Sequence, residues 1–242
     1  MKKYIVTLFL FLFFYNALSA QKFDKVRNLR FYDQKKIHFG FTVGLNTSDF
    51  YIRNSDNFFD TTQIKEVYGI ENYQQPGFHL GPISNLRLGK YFDLRLLLNL
   101  TFIQRDLHYT VLKENQYGEE YFDTHVMKLS STFLSMPLLL KYKAERLNNY
   151  RWYVIAGIDP TLDLAAKKKI PEEAMPMIRL EQPDVYGEIG AGIDFYLPYF
   201  KFSPELKMGI GLNNMAVPDN TEYTGAMKYL KSKIFMLSFH FE

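Results

Sequence analysis

The 242-residue sequence contains no cysteine and a single tryptophan. The absence of cysteine excludes disulfides, thiolate metal sites, cysteine nucleophiles and acylation of a mature N-terminal cysteine. The net charge is only +3, from 29 basic and 26 acidic residues, and no basic stripe is present, so nucleic acid is not indicated as a partner. Beyond the first twenty residues, no stretch reaches the roughly 18 apolar residues of a membrane-spanning helix.

Recognisable catalytic and metal-binding motifs are also missing from the sequence. There is no G-x-S-x-G nucleophile elbow, and "GAGID" (190–194) lacks the glycine spacing of a dinucleotide-binding loop. The five histidines are scattered without a paired metal-ligand spacing: His38, His79, His108, His125 and His240. The sequence therefore predicts no catalytic residue, no cofactor, no metal site and no small-molecule substrate.

Residues 1–20 differ in composition from the rest of the chain. A short basic segment, "MKK", precedes the apolar run "YIVTLFLFLFFY" (4–15) and the small-residue stretch "NALSA" (16–20). This pattern predicts a secretory signal peptide cleaved near residue 20, although an uncleaved anchor is the alternative. Residues 21–36 are polar and basic, and we expect them to form a flexible periplasmic arm before a single domain over residues 37–242.

The remaining chain is rich in aromatic residues (17%) and alternates between apolar and polar positions. In "FKFSPELKMGIGLNN" (200–214) every second side chain is apolar, apart from one proline, and the others are polar or glycine. A period of two is typical of a β-strand. Eight such runs are separated alternately by short connections, such as "GKYF" (89–92), and long ones, such as the stretch around residues 47–76. The pattern predicts an all-β fold, an eight-stranded antiparallel up-and-down transmembrane β-barrel.

In a membrane barrel the apolar face points out to lipid and the polar face lines the lumen. The charged residues that we expect to face the lumen are Arg87, Arg95, Lys141, Glu188, Asp194, Lys201, Glu205 and Lys207. A water-soluble sandwich with a solvated polar face is the alternative. The signal peptide, the strand lengths and the alternating connections favour the membrane barrel. Pro82, Pro137 and Pro204 fall within strands, where they predict bulges or breaks.

Several segments resemble the PorT/SprT family of Bacteroidetes. They include "KKIHFGFTVGLN" (35–46), "GPISNLRLGKYFDLRLLLNLTFIQRDLHY" (81–109), "DVYGEIGAGIDFYLPYFKFSPELKMGIGLNN" (184–214) and "SKIFMLSFHFE" (232–242). The resemblance implies an outer-membrane barrel that is required for type IX protein secretion and, in gliding bacteria, for motility. It also implies other components of that system, and outer-membrane lipid, as partners. The family has no established catalytic residues that could be carried over to this sequence.

The end of the sequence departs from the general outer-membrane pattern, because Glu242 stands where an aromatic residue is common. We expect Phe239 and Phe241 to serve as the assembly signal instead. The first hypothesis is thus a non-enzymatic barrel subunit of the secretion machinery. A small binding barrel or narrow porin is the alternative, and a membrane-embedded lipid-modifying enzyme is the third hypothesis.

Overall fold

The computed structural model describes residues 26–54, 67–114, 117, 120–164, 183–213 and 227–242. The predicted signal peptide (1–20) lies outside these residues. A single turn of 3₁₀-helix, Tyr32–Gln34, precedes the strands. The strands are β1 (Ile37–Asn54), β2 (Val67–Gln74), β3 (Pro76–Arg87), β4 (Phe92–Leu97), β5 (Asn99–Glu114), β6 (Glu120–Ser135), β7 (Leu138–Lys143), β8 (Tyr150–Asp163), β9 (Pro183–Tyr196), β10 (Lys201–Gly211) and β11 (Met227–Phe241).

These segments form one closed antiparallel barrel. The pairs β2/β3, β4/β5 and β6/β7 each continue one another along a single staggered strand, so that the barrel has eight strands. Each barrel strand pairs with its sequence neighbours, and β1 closes the ring by pairing with β3 on one side and β11 on the other. The predicted fold is confirmed. Hydrogen bonding between adjacent strands around the whole ring satisfies backbone polar groups within the barrel wall, as a bilayer requires.

Within the described segments, no helix is both long and apolar enough to cross a membrane.

The two ends of the barrel differ. Short turns at residues 88–91, 144–149 and 197–200 lie at one end, which we call the short-turn end. At the opposite, long-loop end, the strands extend further than the sequence predicted. In the predicted loop around 47–76, β1 continues to Asn54 and β2 begins at Val67. In the predicted loop around 112–124, β5 continues to Glu114 and β6 begins at Glu120.

Polar residues near the long-loop end explain why the sequence pattern did not predict this extension. Asn72 and Gln74 both donate hydrogen bonds to the Asp49 carboxylate, and Gln74 Nε2 lies 2.6 Å from Asp49 Oδ2. These positions are polar, so the alternation that marked the strands in sequence is absent. The ladder with neighbouring strands nevertheless continues. This pattern is typical of barrel strands that project beyond a bilayer into water.

The three prolines that were predicted to cause bulges or breaks have different effects on the barrel wall. Pro137 lies in the gap between β6 and β7, as the sequence predicted. Pro204 lies within β10, and pairing with β9 skips residues 203 and 204 without a change of register. Pro82 leaves β3 continuous, and the interruption falls on the neighbouring strand at Leu98, whose N–H donates to Pro82 O.

Apolar side chains cover the outside of the barrel, and charged, polar and some apolar side chains fill its lumen. Leu206, for example, is 66% exposed on the outer face, whereas its neighbour Glu205 is buried. Gly192 shows why glycine occurs on the inward face, since a Cβ there would lie 2.4 Å from Tyr153 Oη. The missing side chain leaves room for Tyr153 to reach across the lumen.

Candidate functional site

The charged side chains that were predicted to face the lumen lie at defined places in the structure. Seven of them are buried inside the barrel: Arg95, Lys141, Glu188, Asp194, Lys201, Glu205 and Lys207. Arg87 is half-buried at the short-turn end, where its Nε donates to Gly89 O at 3.1 Å. The seven buried residues are joined in a network of ion pairs, described below from the centre towards each end.

Glu205 holds the centre of the network. Its Oε2 accepts hydrogen bonds from Arg95 Nη1 at 2.5 Å and from Tyr153 Oη at 2.9 Å. Its Oε1 lies 3.3 Å from His240 Nε2. These partners come from β4, β8 and β11, so a single carboxylate on β10 ties together strands around the whole circumference.

A second pair lies beside Glu205. Lys141 Nζ donates to both carboxylate oxygens of Asp194 at 2.8 Å. Ser203 Oγ also donates to Asp194 Oδ1 at 2.7 Å, and the Lys141 ammonium lies 3.6 Å from the centre of the Tyr153 ring. A buried charge is tolerated when it is both paired and hydrogen-bonded, as here.

Towards the long-loop end, Lys207 Nζ donates to Glu188 Oε2 at 2.8 Å. Arg105 lies further along and is completely buried, although the sequence analysis missed it. Its Nη1 donates to Ser232 Oγ at 2.9 Å, and its guanidinium carbon lies 4.0 Å from the centre of the Phe50 ring. Inward positions recur at every second residue from Arg95 to Ile103 along this barrel strand, and Arg105 is the next one. Extending the alternating run by two residues therefore predicts that Arg105 faces the lumen.

At the short-turn end, Glu242 turns into the lumen mouth. Its Oε2 accepts hydrogen bonds from Lys201 Nζ and Tyr32 Oη, each at 2.8 Å, and its Oε1 accepts one from Asn85 Nδ2 at 2.6 Å. Glu242 Oε1 also lies 3.9 Å from Arg95 Nη2. The residue that departs from the outer-membrane pattern in sequence therefore closes the network at this end.

The N-terminal arm also closes this mouth. The sequence predicted a flexible segment over residues 21–36, but from Val26 onward it packs into the barrel. Arg151 Nη1 and Nη2 donate to the two carboxylate oxygens of Asp33 at 3.1 and 2.9 Å. Arg146 donates to the carbonyl oxygens of Asn28 and Leu29, with its guanidinium carbon 3.6 Å from the centre of the Tyr196 ring.

We expect Asp33→Asn to weaken docking of the arm by about 1.5–3 kcal/mol, the range for hydrogen bonds to charged groups. Because the sequence has no cysteine, Lys35→Cys provides a unique labelling site on the exposed part of the arm. A fluorophore there should show lower anisotropy at pH 7 in the Asp33→Asn protein than in the labelled parent. Gln34→Ala, on an exposed neighbour, is the control. Equal anisotropy with asparagine and aspartate would contradict this prediction.

The same label measures the pH dependence of docking. Burial alone raises the pKa of Asp33, but the charge and hydrogen bonds of Arg151 outweigh burial, so the net pKa is lower than usual. A lowered folded-state pKa stabilises the docked arm fully above the unfolded value of 3.8, and this stabilisation is lost as the pH falls below it. Anisotropy should thus stay constant from pH 8 to about pH 5 and fall only in stronger acid.

The histidines are dispersed in the structure, as in the sequence. His79 Nε2 lies 2.9 Å from Ser238 Oγ, and the His38 ring stacks on Tyr32 with centroids 3.9 Å apart. Among the residues with described positions, no group of three or more His, Asp or Glu side chains is arranged to hold a metal ion.

The comparison with protein families decides the class of this barrel. A family model described as "Outer membrane protein beta-barrel domain" matches residues 19–217. The chain belongs to the outer membrane protein β-barrel domain family. Members of this family are outer-membrane proteins. Short turns of such barrels usually face the periplasm and long loops the exterior, so we expect the short-turn end to face the periplasm. No curated protein sequence matches the chain significantly.

Solved barrels with a similar fold include OprG from Pseudomonas aeruginosa, with 15% identity over 85% of this chain and 93% of that chain and a TM-score of 0.45. Neisserial surface protein A (NspA) shows 9% identity over 85% of this chain and 98% of its own, with a TM-score of 0.43. Ail, the attachment invasion locus protein of Yersinia pestis, shows 10% identity, covers 86% of this chain and 98% of its own, and has a TM-score of 0.35. At such low identity and TM-scores, these neighbours indicate nothing about the activity of this family member.

Proposed function

We propose that this chain is a non-enzymatic outer-membrane component of the type IX secretion machinery, of the PorT/SprT type, in a bacterium of the Bacteroidetes. It supports secretion through its surfaces, where it contacts other components, and does not conduct the exported protein. Two kinds of evidence support this proposal. The sequence segments quoted above resemble that family along nearly the whole mature chain, and the lumen is filled.

The filled lumen is the observation that carries the proposal. An eight-stranded barrel has an interior just wide enough for side chains. Here the Arg95–Glu205 and Lys141–Asp194 pairs cross that interior, and Glu242 and the N-terminal arm cover its periplasmic mouth. In the part of the barrel that the structure describes, these side chains obstruct the passage of a polypeptide. The same observation disfavours the alternative of a narrow porin.

The buried acid–base groups also favour a non-enzymatic role. His240 and Glu205 are each about 1% exposed and lie within the ion-pair network. A lipid substrate outside the barrel has no access to them.

We infer that Phe239 and Phe241 form the recognition signal for insertion into the outer membrane. Both lie on the outer face of β11, the strand that closes the barrel between β1 and β10. Phe241 stacks on Phe41 with ring centroids 4.8 Å apart, and Phe239 lies parallel to Phe202 at 6.1 Å. An outward-facing aromatic pair on the closing strand supports such a role, because it is accessible before closure and partly covered by neighbours afterwards.

The decisive experiment is deletion of the gene, followed by analysis of the culture medium. We expect proteins with a type IX C-terminal signal to disappear from the medium and accumulate in the cell, and a plasmid copy to restore them. In planar bilayers the purified barrel should show no large open channel. Intact secretion together with a lost uptake activity would favour the binding-barrel alternative, altered lipid A would favour an enzyme, and a large conductance would refute the filled-lumen basis of the proposal.

A further inference from the structure

A cleft of about 270 Å³ opens at the periplasmic, short-turn end of the barrel. It is bounded by the turn after β3, the turn after β7 and the docked arm. Its lining is strongly basic, with two acidic side chains, Asp33 and Glu145. The basic side chains of the lining are Arg27, Arg87, Lys90, Lys143, Arg146 and Arg151. This composition differs from that of the central lumen, where cations and carboxylates are paired.

Several of these cations have carboxylate partners. Lys143 Nζ lies 2.6 Å from Asp93 Oδ1, and Lys90 Nζ lies 2.8 Å from Glu145 Oε1. Arg151 is paired with Asp33, which also lies 4.0 Å from Arg146. Six cations thus share three carboxylates, which leaves an excess of three positive charges around one cavity.

Arg27 and Arg87 carry much of this excess. Neither forms an ion pair with a carboxylate in the part of the chain that the structure describes. Arg87 uses its Nε to bind Gly89 O, so that the two terminal nitrogens of its guanidinium face no protein acceptor there. A guanidinium with free terminal nitrogens matches the oxygens of a phosphate group in a bidentate geometry.

We propose that this cleft binds a phosphate group, with Arg27 and Arg87 as its principal ligands and with added positive charge from Arg146, which shares the single carboxylate of Asp33 with Arg151. The phosphate is supplied either by a phospholipid head group of the periplasmic leaflet or by free phosphate in the periplasm. The two sources share the same chemistry, and the position of the cleft favours the lipid.

The aromatic residues beside the cleft indicate its depth relative to the membrane. Tyr142 lies on the outer face of the barrel, with its ring centroid 5.2 Å from that of Phe92 and 6.4 Å from that of Tyr91, a residue of the cleft lining. Aromatic residues in this position form the girdle that marks the head-group level of an outer-membrane barrel. Lys90, at the rim, is exposed beside this girdle, with its ammonium 4.9 Å from the centre of the Tyr91 ring. The cleft therefore opens at the depth where lipid phosphates lie.

The test uses the purified full-length mature chain in detergent. Native mass spectrometry with added phosphatidylglycerol measures lipid binding, and calorimetry with inorganic phosphate at constant ionic strength measures binding of the free anion. We expect saturable binding of the lipid, and an affinity loss of at least tenfold in the double variant Arg27→Gln/Arg87→Gln. The matched control is Arg30→Gln/Lys36→Gln, which removes the same charge from exposed residues outside the cleft lining.

The possible results distinguish lipid phosphate from free phosphate, and some of them would contradict the proposal. Binding of inorganic phosphate with the same dependence on Arg27 and Arg87, without lipid binding, supports the site with the free anion as its ligand. Equal losses in the double variant and the control, or no binding of either probe, would overturn the proposal. The single variant Arg27→Gln guards against misfolding, because Arg27 lies on the exposed arm outside the barrel strands and should still weaken binding.

Discussion

Replacing Glu205 with glutamine is expected to lower the free energy of unfolding of the barrel by about 3–5 kcal/mol. Glu205 faces Arg95, Tyr153 and His240 in the centre of the lumen, and its side chain is about 1% exposed. Glutamine keeps the shape of the side chain but removes the negative charge. The completely buried Arg95 guanidinium would then lose its closest carboxylate partner and keep only the more distant Glu242, 3.9 Å from its Nη2.

Equilibrium unfolding in urea, with the barrel folded into lipid vesicles, measures this effect. The single tryptophan, Trp152, lies on the outer face and reports on its transfer between lipid and water. The matched control is Lys90→Gln, which breaks an ion pair whose two side chains are 67% and 68% exposed and should cost less than about 1 kcal/mol. Comparable losses in the two variants would contradict the prediction.

A second variant separates charge from packing at the same site. Adding Arg95→Met to Glu205→Gln removes the uncompensated guanidinium and keeps a side chain of similar length. Because replacement of a whole buried pair is often tolerated, the double variant should recover part of the lost stability. No recovery would mean that the loss comes from packing around Glu205 rather than from the unpaired charge.

The second large effect is expected on the outer face. Leu206→Arg places a charge in the middle of β10 on the side that points away from the lumen, where Leu206 is 66% exposed. If this face contacts hydrocarbon, the substitution should destabilise the barrel by about 2–4 kcal/mol in vesicles, the cost of arginine near the bilayer midplane.

The control for this prediction is an exposed residue near the long-loop end. Gln74→Arg replaces an exposed polar residue of β2 that already contacts Asp49. This level lies at or beyond the interface, where the expected cost falls to about 0–1 kcal/mol. Equal destabilisation at both positions would show that depth is irrelevant and that the outer face of β10 is not embedded in lipid.

The fold could be predicted from sequence because the alternation of apolar and polar residues identifies each strand separately. Alternation in a run such as 200–214 requires no knowledge of the neighbouring strands, and eight runs with alternating connections leave few topologies. Prediction was wrong where alternation stops, as at Asp49 and Gln74, which lie outside the apolar band. At these positions the strand is held by pairing with an adjacent strand, although the local sequence does not alternate between apolar and polar residues.

The partners within the lumen could not be predicted from the same pattern. Alternation indicates that Arg95 and Glu205 both point inward, but their contact joins positions 110 residues apart and depends on strand tilt and register. The pair of Asp33 and Arg151 spans 118 residues, and the arm has no period that would predict it. Arg105 continues the same alternation, but it lies two residues beyond Ile103, where the predicted run ended.

The docked arm has a consequence for the order of assembly. The arm docks against several parts of the barrel. Tyr32 binds Glu242 after β11, and Asp33 binds Arg151 on β8. Arg146, which also binds the arm, stacks on Tyr196 of β9. The contacts with Arg151 and Arg146 need only the β8–β9 pair, whereas the contact of Tyr32 with Glu242 also needs β11, so the docking site of the arm is complete only when the last strand has joined the barrel.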